Sequence, residues 1–196
     1  MQGVTLWGAL KRLSDEQWWR RALRKTTGRA LEAAARDAGL VHRHAALYVS
    51  RGTLERCRAQ HSRNSALLEY IEVSNELGDS FTLAELRERS VSNPRNRRHE
   101  LMCRLAGFET IAGERDEVGE FVTLTCPRRY HCRRSRDGRP VEAYSGATPR
   151  DGQKYLRKLW ERIRSALHRR EIKPYGMRMA EPNHDGTPHW HMVLFV

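Results

Sequence analysis

The sequence predicts an α+β protein, in which an N-terminal helical bundle precedes an antiparallel sheet with one packed helix. Residues 1–112 carry helix starts and stops but little strand signal. From residue 121 the apolar period changes to the alternation of strands, and the last residues have the pattern of a β-hairpin. We therefore expect a helical, Arg-rich region at 1–112, a charged linker at 113–119 and a sheet domain at 120–196.

The helical region is defined by its cap and stop residues. N-caps are predicted at Ser14, Thr53, Thr82 and Asn93, and glycine stops at Gly39, Gly78 and Gly107. The helix from Thr53 is expected to run to Leu77. Arginine clusters at 20–25 and 95–98 are either solvated helix faces or a DNA surface, and neither cluster alone decides between them.

Composition points to a polyanionic partner. The 196 residues carry a formal charge of +12 and a pI near 10.2. Nucleic acid fits better than a membrane, because no apolar run approaches the ~18–20 residues that span a bilayer. The four cysteines form no CxxC pair, so reduced thiols are expected. Cys126, His131 and Cys132 are an alternative zinc cluster, but a fourth ligand is not evident.

The sheet region starts with a strand over 121–125, in which Thr123 and Thr125 share one face. Residues 127–147 form a long Arg-rich connection, which is typical of a functional loop. Thr148 is predicted to cap a helix with Pro149 at its first position, an apolar stripe on one side and basic residues on the other. The candidate DNA-binding residues of this loop and helix are Arg128, Arg129, Arg133, Arg134, Lys154, Arg157 and Lys158.

Two histidines at the start of the last strand are the strongest chemical signal. His189 and His191 lie on one face because side chains alternate along a strand, about 7 Å apart at Cα. A strand is predicted over 175–182. A two-residue loop at Asp185-Gly186 would turn Glu181 away, whereas a three-residue loop at 184–186 sets Glu181 opposite His189. We favour the three-residue loop.

Two imidazoles and one carboxylate with open positions suit Mg²⁺ or Mn²⁺ when a phosphate supplies further oxygens, and zinc would accept the same ligands. The simpler alternative is a strand with two polar residues on its solvated face. Glu181, the glycine-containing turn and the basic composition favour the metal site.

Three segments resemble a known family. F-V-T-L-T at 121–125 and E-P-N-H-D-G-T-P-H-W-H at 181–191 are similar to the HUH endonucleases, which initiate rolling-circle replication. The second segment, together with S-N-P-R-N-R-R-H-E-L-M-C-R-L-A-G-F-E at 92–109, most closely resembles the replication gene A protein family of tailed bacteriophages. The likeness extends over the whole chain, but its specific motifs lie beyond residue 120.

The resemblance implies a ferredoxin-like sheet with the first motif strand beside the histidine strand. It implies that Glu181, His189 and His191 bind Mg²⁺ or Mn²⁺, and that a tyrosine nicks single-stranded origin DNA to leave a 5′-phosphotyrosine and a 3′-hydroxyl. It also implies that the full-length protein is an endonuclease and strand transferase in the cytoplasm of a bacterial host, with the phage replication origin and a host replicative helicase as partners.

The nucleophile is the main departure from that family, whose paired tyrosines follow the histidine strand. None of the six tyrosines here lies beyond His191, and Tyr155 is a weak candidate because its ring fits an apolar stripe. Since the sequence stops within a strand, we expect a truncated domain that binds metal and DNA without nicking. Two alternatives remain: a basic nucleic-acid-binding module without catalysis, and a metal hydrolase that uses water. The second lacks a further cluster, since His184 and Asp185 are explained as turn residues.

Overall fold

A computed structural model describes residues 5–196. Its helices are α1 (Leu6–Leu13), α2 (Glu16–Asp37), α3 (Arg51–Tyr70), α4 (Leu83–Arg89), α5 (Pro94–Glu114) and α6 (Pro149–His168). Its strands are β1 (Glu72–Ser74), β2 (Ser80–Thr82), β3 (Gly119–Thr125), β4 (Tyr175–Pro182) and β5 (Pro188–Phe195). A 3₁₀ turn covers Arg128–Tyr130. The predicted α+β class is confirmed, while a ferredoxin-like arrangement stays a prediction.

The histidine strand is the centre of the main sheet. The strand order is β3-β5-β4 and both pairs are antiparallel. The β4–β5 register places Glu181 opposite His189 and Pro182 opposite Pro188, so the predicted register is confirmed. Gly186 has a φ of 83°, and its N–H donates to the carbonyl of Asn183, as a three-residue loop requires. The expected pairing of the first motif strand with the histidine strand is also confirmed.

Helix α6 covers the sheet face opposite the histidines. Thr148 and Asp151 form a capping box with Pro149 at the first position, as predicted. The helix places the fully buried Leu156 against Trp190 and Cys126, and these three residues form a buried hydrophobic cluster. The Trp190 indole also donates to the amide oxygen of Gln153 at 2.8 Å. Helix α6 packs on this side of the sheet and therefore does not cover the histidines.

Helix α5 packs at the other end of the histidine face. The ring of Phe108 lies 5.8 Å from Tyr175 and 6.3 Å from Phe195, which pair with each other across β4 and β5. Toward the histidines the same face is open, with Phe121 65% and Met179 50% exposed. The open part of the histidine face therefore has an apolar border on both neighbouring strands.

Two predicted N-caps are wrong by one and three residues. Asp15, not Ser14, caps α2, and its carboxylate accepts from two N–H groups; the Ser14 hydroxyl instead donates to carbonyls at the end of α1. Ser50, not Thr53, caps α3, and its hydroxyl accepts from the Thr53 N–H. The caps at Thr82 and Asn93 are confirmed. Neighbouring polar residues compete for a cap, and the winner depends on backbone angles.

Two predicted helix ends are also wrong. Helix α3 stops at Tyr70, because residues 72–82 form the hairpin of β1 and β2, where a helix to Leu77 was expected. Helix α5 continues through Gly107 to Glu114, since a glycine inside a helix costs only about 1 kcal/mol. The link between α5 and β3 is therefore 115–118, shorter than the predicted 113–119. The division into domains stays a prediction.

Besides α5, the helical region contacts the sheet end through the hairpin turn and the loop at 127–147. No residue of α1 to α4 is fully buried, so these helices share little core. Asp37 at the end of α2 forms an ion pair with Arg133 at 2.9 Å. His184 in the turn contacts the Leu47 carbonyl and stacks on Tyr48. Within residues 5–196, no helix is long and apolar enough to cross a membrane.

Candidate metal centre

Glu181, His189 and His191 converge on one side of the sheet. One ligand atom from each residue lies within 4.8 Å of the other two. Over residues 5–196, this is the one group of three or more histidine, cysteine or acidic side chains that is so placed. Glu181 is exposed and the two histidines are half-buried, so the trio borders solvent.

The two imidazoles are spaced as ligands of one ion would be. Their Nε2 atoms are 3.0 Å apart, and the ring planes are nearly perpendicular at 88°. Two nitrogens that each lie ~2.0–2.1 Å from an ion and subtend about a right angle are ~3 Å apart. The donor set of two nitrogens and a carboxylate leaves open positions for a phosphate oxygen or water. These residues therefore fit a divalent cation.

Thr123 on β3 orients one of the histidines. Its hydroxyl oxygen lies 3.0 Å from Nδ1 of His191, so that Nε2 points to the cation position. The register explains this contact, because Thr123 is the β3 partner of His191. Phe121 stacks on the same imidazole with the ring centres 5.4 Å apart. The sequence predicted which strand face Thr123 occupies. It did not predict that Thr123 lies beside His191, because that contact depends on the pairing of β3 with β5.

The electrostatic environment favours a neutral His189. Burial lowers the pKa of His189, and the neighbouring His191 lowers it further, while Glu181 opposes the shift. A neutral imidazole has the free electron pair that a metal ligand needs. The Nδ1 atom of His189 is buried and has no hydrogen-bond partner among residues 5–196.

A second cluster of hydrogen-bonded side chains stabilises the turn between β4 and β5. Asp185 is 5% exposed and accepts from the Thr187 N–H at 2.9 Å and from Nδ1 of His131 at 3.1 Å. The hydrogen bond to Asp185 raises the pKa of His131. Burial opposes the ionisation of Asp185, but the hydrogen bonds from His131 and Thr187 outweigh it and lower the Asp185 pKa. The prediction that Asp185 is only a turn residue missed its hydrogen bonds to His131 and Thr187.

The structure does not assemble the alternative zinc cluster from the predicted residues. His131 is engaged by Asp185, and the Cys126 thiol lies 3.7 Å from the Gly152 carbonyl in the core. Burial, with a further contribution from Asp185, raises the pKa of the Cys126 thiol to about 11. A protonated, buried thiol is a poor zinc ligand.

The predicted DNA-binding residues separate into two groups. Lys154 and Arg157 pair with Asp151 and Glu161 along α6, which covers the face opposite the metal residues, and Lys158 is exposed on the same helix. In the loop, Arg133 pairs with Asp37, and its side chain is only 18% exposed. Exposed positions in this loop are held by Arg128, Arg129 and Arg134. The structure thus brings loop arginines, but not the α6 cations, to the hairpin end of the sheet.

None of the six tyrosines is oriented as a nucleophile toward the three metal residues. Tyr155 packs with Tyr130 against the core on the opposite face of the sheet, so nothing supports the weak sequence candidate. Tyr175 shares the histidine face but lies at its far end, where its hydroxyl donates to Glu117. The Tyr144 hydroxyl donates to a loop carbonyl. The remaining two are Tyr48, stacked on His184, and Tyr70, 84% exposed at the end of α3.

Comparisons with known proteins identify relatives of this chain. The family model described as "Bacteriophage replication gene A protein (GPA)" matches residues 1–196. The chain is 42% identical to the replication gene A protein of Escherichia phage 186 over 188 residues, which are 96% of this chain and 27% of that relative. It is 35% identical to the replication gene A protein of Escherichia phage P2 in an alignment 198 positions long, which covers 96% of this chain and 26% of that relative.

A probable replication endonuclease from a prophage-like region of Shigella boydii serotype 4 (strain Sb227) is 36% identical over 189 residues, 96% of this chain and 23% of that relative. The chain thus spans about a quarter of the length of the curated relatives it matches. No solved structure matches it. Because the family model matches residues 1–196, this chain belongs to the bacteriophage replication gene A protein family.

Proposed function

We propose that this chain forms the metal- and DNA-binding part of a replication endonuclease that nicks single-stranded DNA at a phage origin. The observation that carries the proposal is the convergence of Glu181, His189 and His191 on a solvent-facing side of the sheet. Relatives named replication endonuclease support the reaction class. The formal charge of +12 suits a polyanionic substrate.

The three residues would hold Mg²⁺ or Mn²⁺. When bound, the ion supplies a Lewis acid that polarises the scissile phosphate and fixes its orientation. Thr123 keeps Nε2 of His191 directed at the cation position, and burial keeps His189 neutral. Glu181 contributes a negative charge that offsets the cation.

The open end of the histidine face would receive the DNA strand. Phe121 and Met179 give its border an apolar character that suits bases, while loop arginines at the hairpin end suit phosphates. A tyrosine oxygen then forms a bond to phosphorus as the bond to the 3′-oxygen breaks, and the leaving 3′-oxygen takes up a proton. This yields a 5′-phosphotyrosine and a free 3′-hydroxyl that primes synthesis.

We place that tyrosine outside the 196 residues, because none of the six present is directed at Glu181, His189 and His191. The test uses a form of the protein that continues beyond Val196, with an end-labelled oligonucleotide from the phage origin and Mn²⁺. We expect a covalent protein–DNA adduct on a denaturing gel. The adduct is lost in His191→Ala and retained in His99→Ala, a matched change at an exposed histidine of α5.

The competing function is a basic nucleic-acid-binding module without catalysis. It predicts salt-dependent DNA binding that neither chelator nor Glu181→Gln alters, and no adduct from the extended protein. A protein that binds origin DNA in Mn²⁺ but never forms the adduct would favour this module over the nuclease.

A further inference from the structure

A cavity of about 360 Å³ opens at the hairpin end of the sheet. Arg128, Arg134 and His131 from the loop line one side, and Asn183, His184 and Asp185 from the turn line the other. Its size lies at the lower end of the range for small-ligand sites. The cavity is therefore formed by the two segments that the sheet brings together at this end.

The charge inside the cavity is positive and largely uncompensated. Asp185 is the one carboxylate among its lining residues, and His131 and Thr187 already satisfy it. Arg133 also lines the cavity but is paired with Asp37. Arg128 and Arg134 form no ion pair with any residue between 5 and 196 and are exposed. The two arginines thus line a cavity whose one carboxylate is already bonded to His131 and Thr187.

The backbone around the cavity is already fixed. The Thr187 hydroxyl donates to the Tyr130 carbonyl at 3.0 Å, which ties the turn to the loop. Arg134 donates its N–H to the Arg139 carbonyl at 2.8 Å and accepts from Gly138 at 3.0 Å. A ligand would therefore bind without a large ordering cost in the main chain.

The cavity lies beside the metal residues along the same strands. Asn183 in its wall is two residues beyond Glu181, whereas Cys126 follows Thr125, the β3 partner of His189, but lies on the core side of the sheet. At ~3.3 Å per residue, the lining residue Asn183 lies about 7 Å along the chain from Glu181. That distance is about one nucleotide step of an extended single strand.

We infer that this cavity is a phosphate subsite for the nucleotide next to the scissile one, with Arg128 and Arg134 as its phosphate-binding residues. Arginine presents a planar fork of donors that matches a phosphate oxygen pair. An acidic peptide would also meet positive charge here, but the position beside the metal residues favours the substrate strand. The inference rests on the proposed function, because it takes the scissile phosphate to lie at the metal residues.

The experiment measures binding of a fluorescein-labelled twelve-nucleotide oligo(dT) to the 196-residue chain by anisotropy, in EDTA. The double variant Arg128→Ala/Arg134→Ala is compared with Arg169→Ala/Arg170→Ala, which removes the same charge from exposed positions just beyond α6 that form no ion pair within residues 5–196. We expect the cavity variant to bind about tenfold more weakly and its salt slope to fall by ~0.7, the value for one lost phosphate contact on a single strand. The control should retain the affinity and slope of the wild type.

Three results would overturn the subsite. Equal weakening in both double variants indicates a diffuse basic surface, and unchanged binding in both indicates that the strand lies elsewhere. Displacement by polyglutamate at concentrations matching unlabelled oligo(dT) would identify an acidic peptide as the ligand. Inorganic phosphate should compete only at concentrations far above the oligonucleotide, because a strand makes several contacts.

The conservative pair Arg128→Lys/Arg134→Lys separates phosphate binding from folding. It keeps the charge but loses the fork, so we expect an intermediate affinity with unchanged circular dichroism. Mn²⁺ binding by the same variants should equal the wild type. Failure of the nuclease proposal would appear as absent Mn²⁺ binding, whereas failure of the subsite would appear as arginine-independent DNA binding in EDTA.

Discussion

Replacing Asp185 with asparagine removes the charge but keeps the shape of a side chain that holds the hairpin turn. The Asp185 side chain is 2% exposed, and it accepts from His131 at 3.1 Å and from the Thr187 N–H at 2.9 Å. Asparagine retains an oxygen for Thr187 but loses the charge that pairs with His131. The variant therefore isolates the ionic part of the cluster.

The expected cost follows from burial of the pair. A hydrogen bond to a charged group contributes ~1.5–3 kcal/mol. We take the lower half, about 1.5–2 kcal/mol, because the His131 side chain is 25% exposed and solvent screens part of the interaction. For a chain of this size each kcal/mol lowers the Tm by ~2–4 °C, so we expect a fall of about 3–8 °C for Asp185→Asn.

The two pKa shifts fix the pH dependence. The His131 pKa is raised, so its contribution is complete below the ordinary value of 6.5 and is lost as the pH rises through the raised value. The Asp185 pKa is lowered, so its contribution is complete above 3.8 and is lost as the pH falls through the lowered value. The difference in Tm between wild type and variant should thus be largest between pH 3.8 and 6.5 and should shrink above it.

Thermal unfolding followed by circular dichroism at pH 5.5, 7 and 9 measures this difference. Glu100→Gln is the control, because Glu100 pairs with Arg104 on an exposed helix surface and such pairs contribute ~0–1 kcal/mol. An Asp185→Asn variant that melts within about 1 °C of the wild type at pH 5.5 would refute the ionic role. A difference that grows as the pH rises would contradict its sign.

Three further substitutions test the site support, the sheet and the core. Thr123→Val should weaken Mn²⁺ binding about tenfold or more in calorimetry while Thr123→Ser retains it, since His191 loses its support; equal affinities would contradict that role. Gly176→Ala should destabilise by about 3 kcal/mol or more in urea, because φ is +144° and an added Cβ would lie 2.0 Å from the Val193 carbonyl oxygen. Wild-type stability there would mean a different β4–β5 geometry. Leu156→Ala should cost ~2–5 kcal/mol, as its side chain is fully buried; a loss below about 1 kcal/mol would place α6 away from the sheet.

Local chemistry was enough to predict the hairpin. The β4–β5 register followed from side-chain alternation and from one glycine able to adopt a positive φ, and Glu181 is indeed opposite His189. The cap of α6 followed in the same way from Thr148 and Pro149. In these cases the determining residues are close in the sequence, so a pattern within a few positions carries the information.

Long-range contacts were not predictable. The support of His191 by Thr123 joins residues 68 apart, and the pair of His131 with Asp185 joins residues 54 apart. No periodicity encodes such pairs, because they depend on which strands and loops the fold brings together. The early end of α3 at Tyr70 has a similar cause, since the hairpin of β1 and β2 outweighs helix propensity beyond it.

Cation binding at Glu181, His189 and His191 is the claim on which the function depends. Mn²⁺ titration of the 196-residue chain by electron paramagnetic resonance measures it directly, since bound Mn²⁺ loses its free-ion signal. We expect one site per chain that is lost in His189→Ala, weakened in Glu181→Gln and kept in His99→Ala. Stoichiometric binding that persists in His189→Ala, or no binding by the wild type, would contradict the metal centre.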